Sequence, residues 1–175
     1  MIDLQPTLEN ELVIVRPLLD KDFENLYHVA SDAEIWKLHQ NPDRFELAIF
    51  KEFFKNAMAS KGAFAIFDKA TKTIIGSSRY KRHENASNAV EIGWTFLSRD
   101  FWGGKYNKAF KHLMIIHAFK YFDYVLFNVD ENNFRSQKAV KKLGGKLIDK
   151  SGLLKHLHTP KETGLTFVLE KTQYS

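Results

Sequence analysis

Cysteine is absent from the sequence, which excludes disulfide staples, thiolate zinc sites and a cysteine nucleophile together. Long apolar runs are absent too, and none reaches the length needed to span a bilayer. Residues 1–7 have neither a basic n-region nor an apolar h-region, so no signal peptide is expected. There is no internal repeat, low-complexity tract or Pro/Ser/Gly linker, and the 175 residues suit one domain with one core, expected to run from about residue 8 to 171 within a single domain 1–175. Together these absences fit a cytoplasmic protein that neither spans nor sits on a membrane.

What is present is aromatic and basic. Fifteen phenylalanines and 44% apolar residues promise a well-filled interior, without the signature of disorder. The formal net charge of +5 favours an anionic partner: nucleic acid, a membrane surface or a phosphorylated cofactor. The lysines (among them Lys51, Lys55, Lys81, Lys111, Lys141 and Lys150) are scattered over many elements, with no RRM-, KH- or helix-turn-helix-like pattern, which speaks against nucleic acid.

The apolar periodicities alternate between strand and helix. Residues 12–15 read as a buried strand. Asp20 could cap a helix carrying Phe23, Leu26, Tyr27 and Ala30, and a second helix would bury Phe50, Phe53, Phe54, Ala57 and Met58. Residues 64–67 and 73–80 form an expected hairpin around the polar stretch 68–72. In the strand 89–97, alternation puts Val90, Ile92, Trp94 and Phe96 on one face and Glu91, Gly93, Thr95 and Leu97 on the other. A long helix up to about Tyr121, with a stripe of Phe110, Leu113, Met114 and His117, precedes a strand at 124–129. A helix at 135–143 is closed by Gly144-Gly145, and strands at 146–149 and 165–170 end the chain. The order β-α-α-β-β-β-α-β-α-β-β implies an α/β fold with a mixed, mostly antiparallel sheet and helices on its faces.

The segment 91–107 is the richest in chemistry. It reads strand, glycine-bearing turn (Trp102-Gly103-Gly104-Lys105), helix. Such a turn points the unpaired N–H groups of the first helical turn at one spot, with the positive end of the helix dipole behind them and no Cβ in the way. That is a site for phosphate or pyrophosphate. A plain tight turn is the other reading of a glycine pair. A Walker A loop is excluded because no Gly-Lys-Ser/Thr follows, and a Rossmann fingerprint because the loop does not follow the first strand of such a unit.

The loop resembles the acetyl-CoA pyrophosphate loop of the GNAT N-acetyltransferases, particularly the Trp-Gly-Lys-Gly-Tyr form of the RimJ/RimL type. Asn133-Phe134-Arg135-Ser136, with Lys142-Leu143-Gly144 after it, resembles the same family's Asn-x-x-Ser…Lys-Leu-Gly motif, and Val15-Arg16-Pro17-Leu18 its first strand. The resemblance implies a GNAT fold and transfer of acetyl from acetyl-CoA to a primary amine. A protein N-terminal α-amine is the first expectation for the acceptor; a small amine such as a polyamine, amino sugar or amino acid is the alternative. A non-catalytic acyl-CoA-binding or nucleic-acid-binding protein is the rival outside enzymes. No metal is implied, and a homodimer is left open. By the same resemblance, the backbone of Phe96 and Leu97 would hold the acetyl carbonyl and pantetheine. Trp102, Gly103, Gly104, Lys105, Tyr106 and Asn107 would hold the pyrophosphate, Asn133 would touch the pantetheine arm, and Ser136 would lie near the sulfur. Trp36 and His39 would shape the acceptor pocket, although a plain packing role suits Trp36 better. Here Gly-Gly-Lys replaces the usual Gly-Lys-Gly, and Asn107 stands where Ala or Gly is common.

Amide formation needs a neutral amine, a stabilised oxyanion and an acid for the thiolate. Glu91 is the candidate base, eleven positions before Trp102 as in histone-acetylating relatives; the competing role is an ion pair with Arg16 or Arg79. The Leu97 N–H could meet the oxyanion. The tyrosine that many relatives place seven residues after the motif asparagine is Val140 here, which leaves Ser136 as acid, or an N-cap instead, with Tyr106 second. His156 and His158 lie two apart without a third ligand at a fitting spacing, which suits surface histidines.

Overall fold

The computed structural model describes residues 2–158 and 164–174. Its strands are β1 (Leu8–Glu9), β2 (Val13–Pro17), β3 (Ala63–Asp68), β4 (Ile74–Arg82), β5 (Ala89–Leu97), β6 (Tyr124–Asp130), β7 (Lys146–Leu147) and β8 (Gly164–Glu170). The helices are α1 (Phe23–Ala30), α2 (Leu47–Ala59), α3 (Lys105–Ala118) and α4 (Phe134–Lys142). The sheet runs β1-β2-β3-β4-β5-β6-β8-β7 and is mostly antiparallel, so the mixed α/β class read from the periodicities is present. The chain packs as two compact units: the residues up to Arg79 with Trp94–Leu113, and Tyr80–Gly93 with the residues from Met114 onward.

In the first unit, Val13 and Val15 alternate inward along β2, as period two requires. α2 buries Phe50, Phe53, Phe54 and Ala57, one stripe at i, i+3, i+4, i+7, against Leu26 and Ala30 of α1. Asp20 does not cap α1. Residues Asp20–Asp22 form a 3-10 turn, and Asp22 is the side chain that closes it, accepting from the Leu19 N–H at 2.9 Å. Asp22 is drawn there by Arg16, whose fork reaches it at 2.7 and 2.8 Å. Burial alone would push the Asp22 carboxyl up, but the Arg16 bond, the Leu19 amide and nearby positive charge outweigh it and hold the group low. The β3–β4 hairpin skips one residue: Ile66 faces Gly76 while Phe67 faces Ile74, which leaves Ile75 as a bulge.

In the second unit, β5 pairs with β6 in parallel over Ala89–Glu91, and β6 pairs with β8 along its whole length. Ala89, Leu126, Ile148 and Val168 form the core there with Leu157. β7 is shorter than the expected strand because Asp149 turns the chain, accepting from the Ser151 N–H at 2.8 Å and its hydroxyl at 2.7 Å. α4 ends at Gly144, whose φ of +93° is the left-handed conformation that glycine takes at little cost.

α3 keeps three of the four residues of its expected stripe and buries a wider face. Phe110, Met114 and His117 are buried as expected, Leu113 is only half-buried, and Lys111, Ile115 and Ala118 are buried beside them, so Lys111 is an interior lysine. No helix among the described residues is long and apolar enough to cross a membrane.

Candidate active site

β5 hands over to α3 through a short, heavily tethered loop. The Ser98 N–H donates to the carbonyl of bulged Ile75 at 2.8 Å, and residues Arg99–Phe101 make one 3-10 turn. Arg99 is pinned to Asp32 at 2.5 Å, and the Trp102 indole N–H donates to the Leu97 carbonyl at 3.0 Å. Gly103 and Gly104 follow with φ of +100° and +98°. A Cβ on either would meet nothing within 4 Å, so what excludes other residues is backbone conformation, while the space in front stays open. The first bond of α3 runs from the Lys108 N–H to the Gly104 carbonyl at 2.9 Å. The N–H groups of Lys105, Tyr106 and Asn107 therefore have no acceptor inside the helix. With Lys105 and Lys108 exposed beside them, this turn fits an anionic diester.

The same turn is braced from behind. Tyr106 donates its hydroxyl proton to Asp68 Oδ1 at 3.0 Å, while Asp68 Oδ2 accepts from the Thr71 N–H at 3.0 Å and the Thr71 hydroxyl at 2.7 Å. The Thr71 and Tyr106 bonds hold the Asp68 carboxyl below its ordinary range, and the bond to Asp68 pushes the Tyr106 phenol up. Tyr106 is thus occupied by a carboxylate, an arrangement that makes it a poor proton donor.

The end of β5 is shaped by two backbone features. Trp94 has φ of +54°, a left-handed conformation that costs an L-residue roughly 1–2 kcal/mol. Trp94 nevertheless packs with Phe96 on one core cluster, as the alternation expects. Beyond it, Thr95 accepts from buried Lys111 Nζ at 2.6 Å, and Ser78 Oγ lies 3.2 Å from the same ammonium. Gly76 of β4 lies so close that a Cβ would fall 2.1 Å from the Phe96 carbonyl and 2.9 Å from Leu97 Cδ2. Phe96 itself packs on Trp36, with ring centres 4.9 Å apart. Trp36 is 1% exposed and donates its indole N–H to the Ala30 carbonyl at 2.7 Å, a packing position; His39 lies against its ring at 5.1 Å.

The remaining expected site residues lie in the second unit. Glu91 is 8% exposed, yet makes no hydrogen bond or ion pair with any described residue. The structural ion pair expected for it is missing, and Arg16 is committed to Asp22. Glu91 Oε1 would lie 3.0 Å from a Cβ on Gly93, so the glycine leaves room for the carboxylate. Asn133, not Ser136, caps α4: its side chain accepts from the Ser136 N–H at 3.0 Å. The Ser136 hydroxyl has no partner among the described residues. Val140 is core, and a Cβ on Gly145 would fall 2.5 Å from its Cγ1, so a tyrosine at 140 would not fit unaltered surroundings. Among the described residues no group of three acidic, histidine or cysteine side chains could hold a metal.

Residues 13–146 match the acetyltransferase (GNAT) domain. The chain belongs to the GNAT acetyltransferase family. Solved structures agree in fold along nearly the whole chain. A GCN5-related N-acetyltransferase from Brucella melitensis superposes with a TM-score of 0.77 at 17% identity, over 97% of this chain and 80% of its own. A GNAT-family acetyltransferase from Bacillus anthracis gives 0.77 at 15% identity, over 96% and 100%. A candidate ribosomal-protein-serine acetyltransferase from Vibrio cholerae gives 0.74 at 18% identity, over 94% and 97%. No curated protein matches in sequence. The protein is an N-acetyltransferase, and GNAT domains use acetyl-CoA with an amine acceptor.

Within this GNAT frame the structure adds residues that the sequence did not single out. Gly76 could have been flagged as a glycine inside a strand, a sign of close backbone approach. Asp68 reads locally as a turn residue, and nothing in its neighbourhood announces Tyr106, 38 positions away. Arg44 stands in a polar turn after Pro42, where an arginine ordinarily faces solvent.

Proposed function

We propose that this GNAT protein is of the RimJ/RimL type, works in the cytoplasm as one domain over its full length, and acetylates a protein N-terminal α-amine with acetyl-CoA as donor. The observation that carries the donor assignment is the Gly103-Gly104 turn, left-handed at both residues and open in front, at the start of a fourteen-residue helix with Lys105 and Lys108 alongside. The uninterrupted family match from 13 to 146 supports a single domain. The description of the Vibrio cholerae relative supports a protein acceptor.

In this reading the N–H groups of Lys105, Tyr106 and Asn107 hold the pyrophosphate, and Asp68 keeps them in place through Tyr106. Gly76 and the Ile75–Ser98 bond fix the end of β5, where the Leu97 N–H faces the acetyl oxygen and stabilises the oxyanion as it forms. Glu91, buried and without a fixed partner, removes a proton from the incoming ammonium, directly or through water. The amine then attacks the thioester carbonyl, and the C–S bond breaks as the nitrogen gives up its second proton. The Ser136 hydroxyl, the one candidate donor not already bonded elsewhere, relays it by giving a proton to the leaving thiolate and taking one from the nitrogen.

The test is binding followed by turnover. Acetyl-CoA at a hundred times its dissociation constant contributes about 2.7 kcal/mol, or roughly 5–10 °C in Tm for a chain of this size. Free-thiol release is then followed with N-terminal peptides and small amines, and the cysteine-free protein adds no thiol of its own. No thermal shift at millimolar acetyl-CoA would refute the donor site. Turnover of small amines alone would refute the protein acceptor.

A further inference from the structure

Phe53, on α2 in the first unit, carries a guanidinium on each of two approaches: the Arg44 Cζ lies 4.7 Å from its ring centre and the Arg79 Cζ 5.6 Å. Each arginine also covers a tryptophan, Arg44 over Trp36 at 5.6 Å and Arg79 over Trp94 at 4.7 Å. The face-on contacts stabilise cations, but an aromatic ring supplies no oxygen acceptor for a guanidinium. Arg44 is half-buried, and burial alone lowers its pKa; among the described residues it has no hydrogen bond and no carboxylate partner. A guanidinium carries five N–H donors in a planar fork, and leaving that fork unmatched while part of its hydration is removed is unfavourable.

This cluster lies one ring away from the chemistry. Phe53 packs edge-on against Phe96 at 6.0 Å, and Phe96 precedes Leu97 at the end of β5, where the acetyl group is assigned. A polyamine would bring several ammonium groups against the unmatched Arg44 cation there. An amine that also carries a carboxylate would meet it with opposite charge and a geometry that guanidinium matches in two parallel bonds. Resting on the acetyl-transfer reading above, we propose that Arg44 recognises a carboxylate on the acceptor, so that this enzyme selects carboxylate-bearing amines over polycationic ones.

The carboxylate has two sources, an acidic residue following a peptide N-terminus or the α-carboxylate of a free amino acid, and matched pairs separate them. Initial rates with acetyl-CoA are measured for peptides beginning Ser-Glu and Ser-Gln, for serine and serine amide, and for spermidine. In one of the two pairs the carboxylate member is expected to lead in kcat/KM by about 10–100-fold, and Arg44→Gln is expected to remove that lead while sparing the amide and the KM of acetyl-CoA. Arg44→Lys, which keeps charge but loses the fork, is expected to fall between. Indifference to the carboxylate in both pairs, spermidine as the best acceptor, or an equal loss for both members with Arg44→Gln overturns the proposal. Calorimetric titrations of the acetylated Ser-Glu peptide and of N-acetylserine need no turnover. Tighter binding of either to the parent than to Arg44→Gln supports the proposal, and equal binding of both overturns it. If acetyl-CoA releases no thiol with any acceptor, the acetyl-transfer reading fails separately, and the titrations alone decide the carboxylate.

Discussion

Replacing Gly76 by alanine adds a single carbon at the point where β4 meets the end of β5. The new Cβ would fall 2.1 Å from the Phe96 carbonyl oxygen, where side-chain carbons do not approach other heavy atoms below 3.0 Å. The obstructing atom is backbone, so no rotamer change relieves the clash, and the end of β5 must move by about 1 Å. Overpacking of this kind costs about 1–3 kcal/mol, which for a chain of this length lowers Tm by roughly 2–12 °C. The same displacement shifts the Leu97 N–H from the oxyanion it serves, and an error of about 1 Å in such a group is worth roughly 100-fold in rate. The assay is free-thiol release well below the melting temperature, with Ile66→Val as a control that loses about 0.5–1.5 kcal/mol from a fully buried site of the same unit. Gly76→Ala is expected to lose kcat far beyond the control at matched folded fraction. A folded Gly76→Ala enzyme with the parent kcat would refute the claim that this contact sets the site.

Two further outcomes are expected. Glu91→Gln keeps the shape of a side chain that has no bonded partner to lose, so kcat should fall about 10²–10⁴-fold with Tm and acetyl-CoA affinity held; an earlier melt at unchanged kcat would return Glu91 to a structural role. Asn133→Ala should cost about 1 kcal/mol of stability as a lost cap, whereas Ser136→Ala should leave Tm alone and lower kcat with little change in the KM of acetyl-CoA; Ser136→Ala turning over at the parent rate would remove it as the acid.

Local periodicity was enough to read the strands, the helices and their order, because burying one face leaves the same trace wherever the partner lies. It also located the glycine turn, since a positive φ at the start of a helix selects residues that are visible in the sequence. Long-range polar pairing leaves no such trace. Glu91 was the one partner that the sequence suggested for Arg16, and the pairing of Arg16 with Asp22 became visible only with the 3-10 turn that carries Asp22. The left-handed turn of β5 at Trp94 was not legible, because a single left-handed residue inside a strand has no sequence signal when that residue is not glycine. The burial of Lys111 was not legible for a related reason: nothing local announces the hydroxyls of Thr95 and Ser78 that its ammonium finds. Between Asn133 and Ser136, both common caps, the side chain that accepts from the N–H three residues on is the cap, which selects Asn133.

Asp68 serves two masters. It closes the β3–β4 turn through Thr71 and holds the first turn of α3 through Tyr106, so segments 38 positions apart share one carboxylate. For anyone recombining such enzymes, the glycine loop is therefore not a module that can be moved by itself. A chimera that imports residues 98–107 into a backbone lacking the Asp68–Thr71 pair inherits the loop without its anchor, and the transferable unit is the loop together with its distant hairpin.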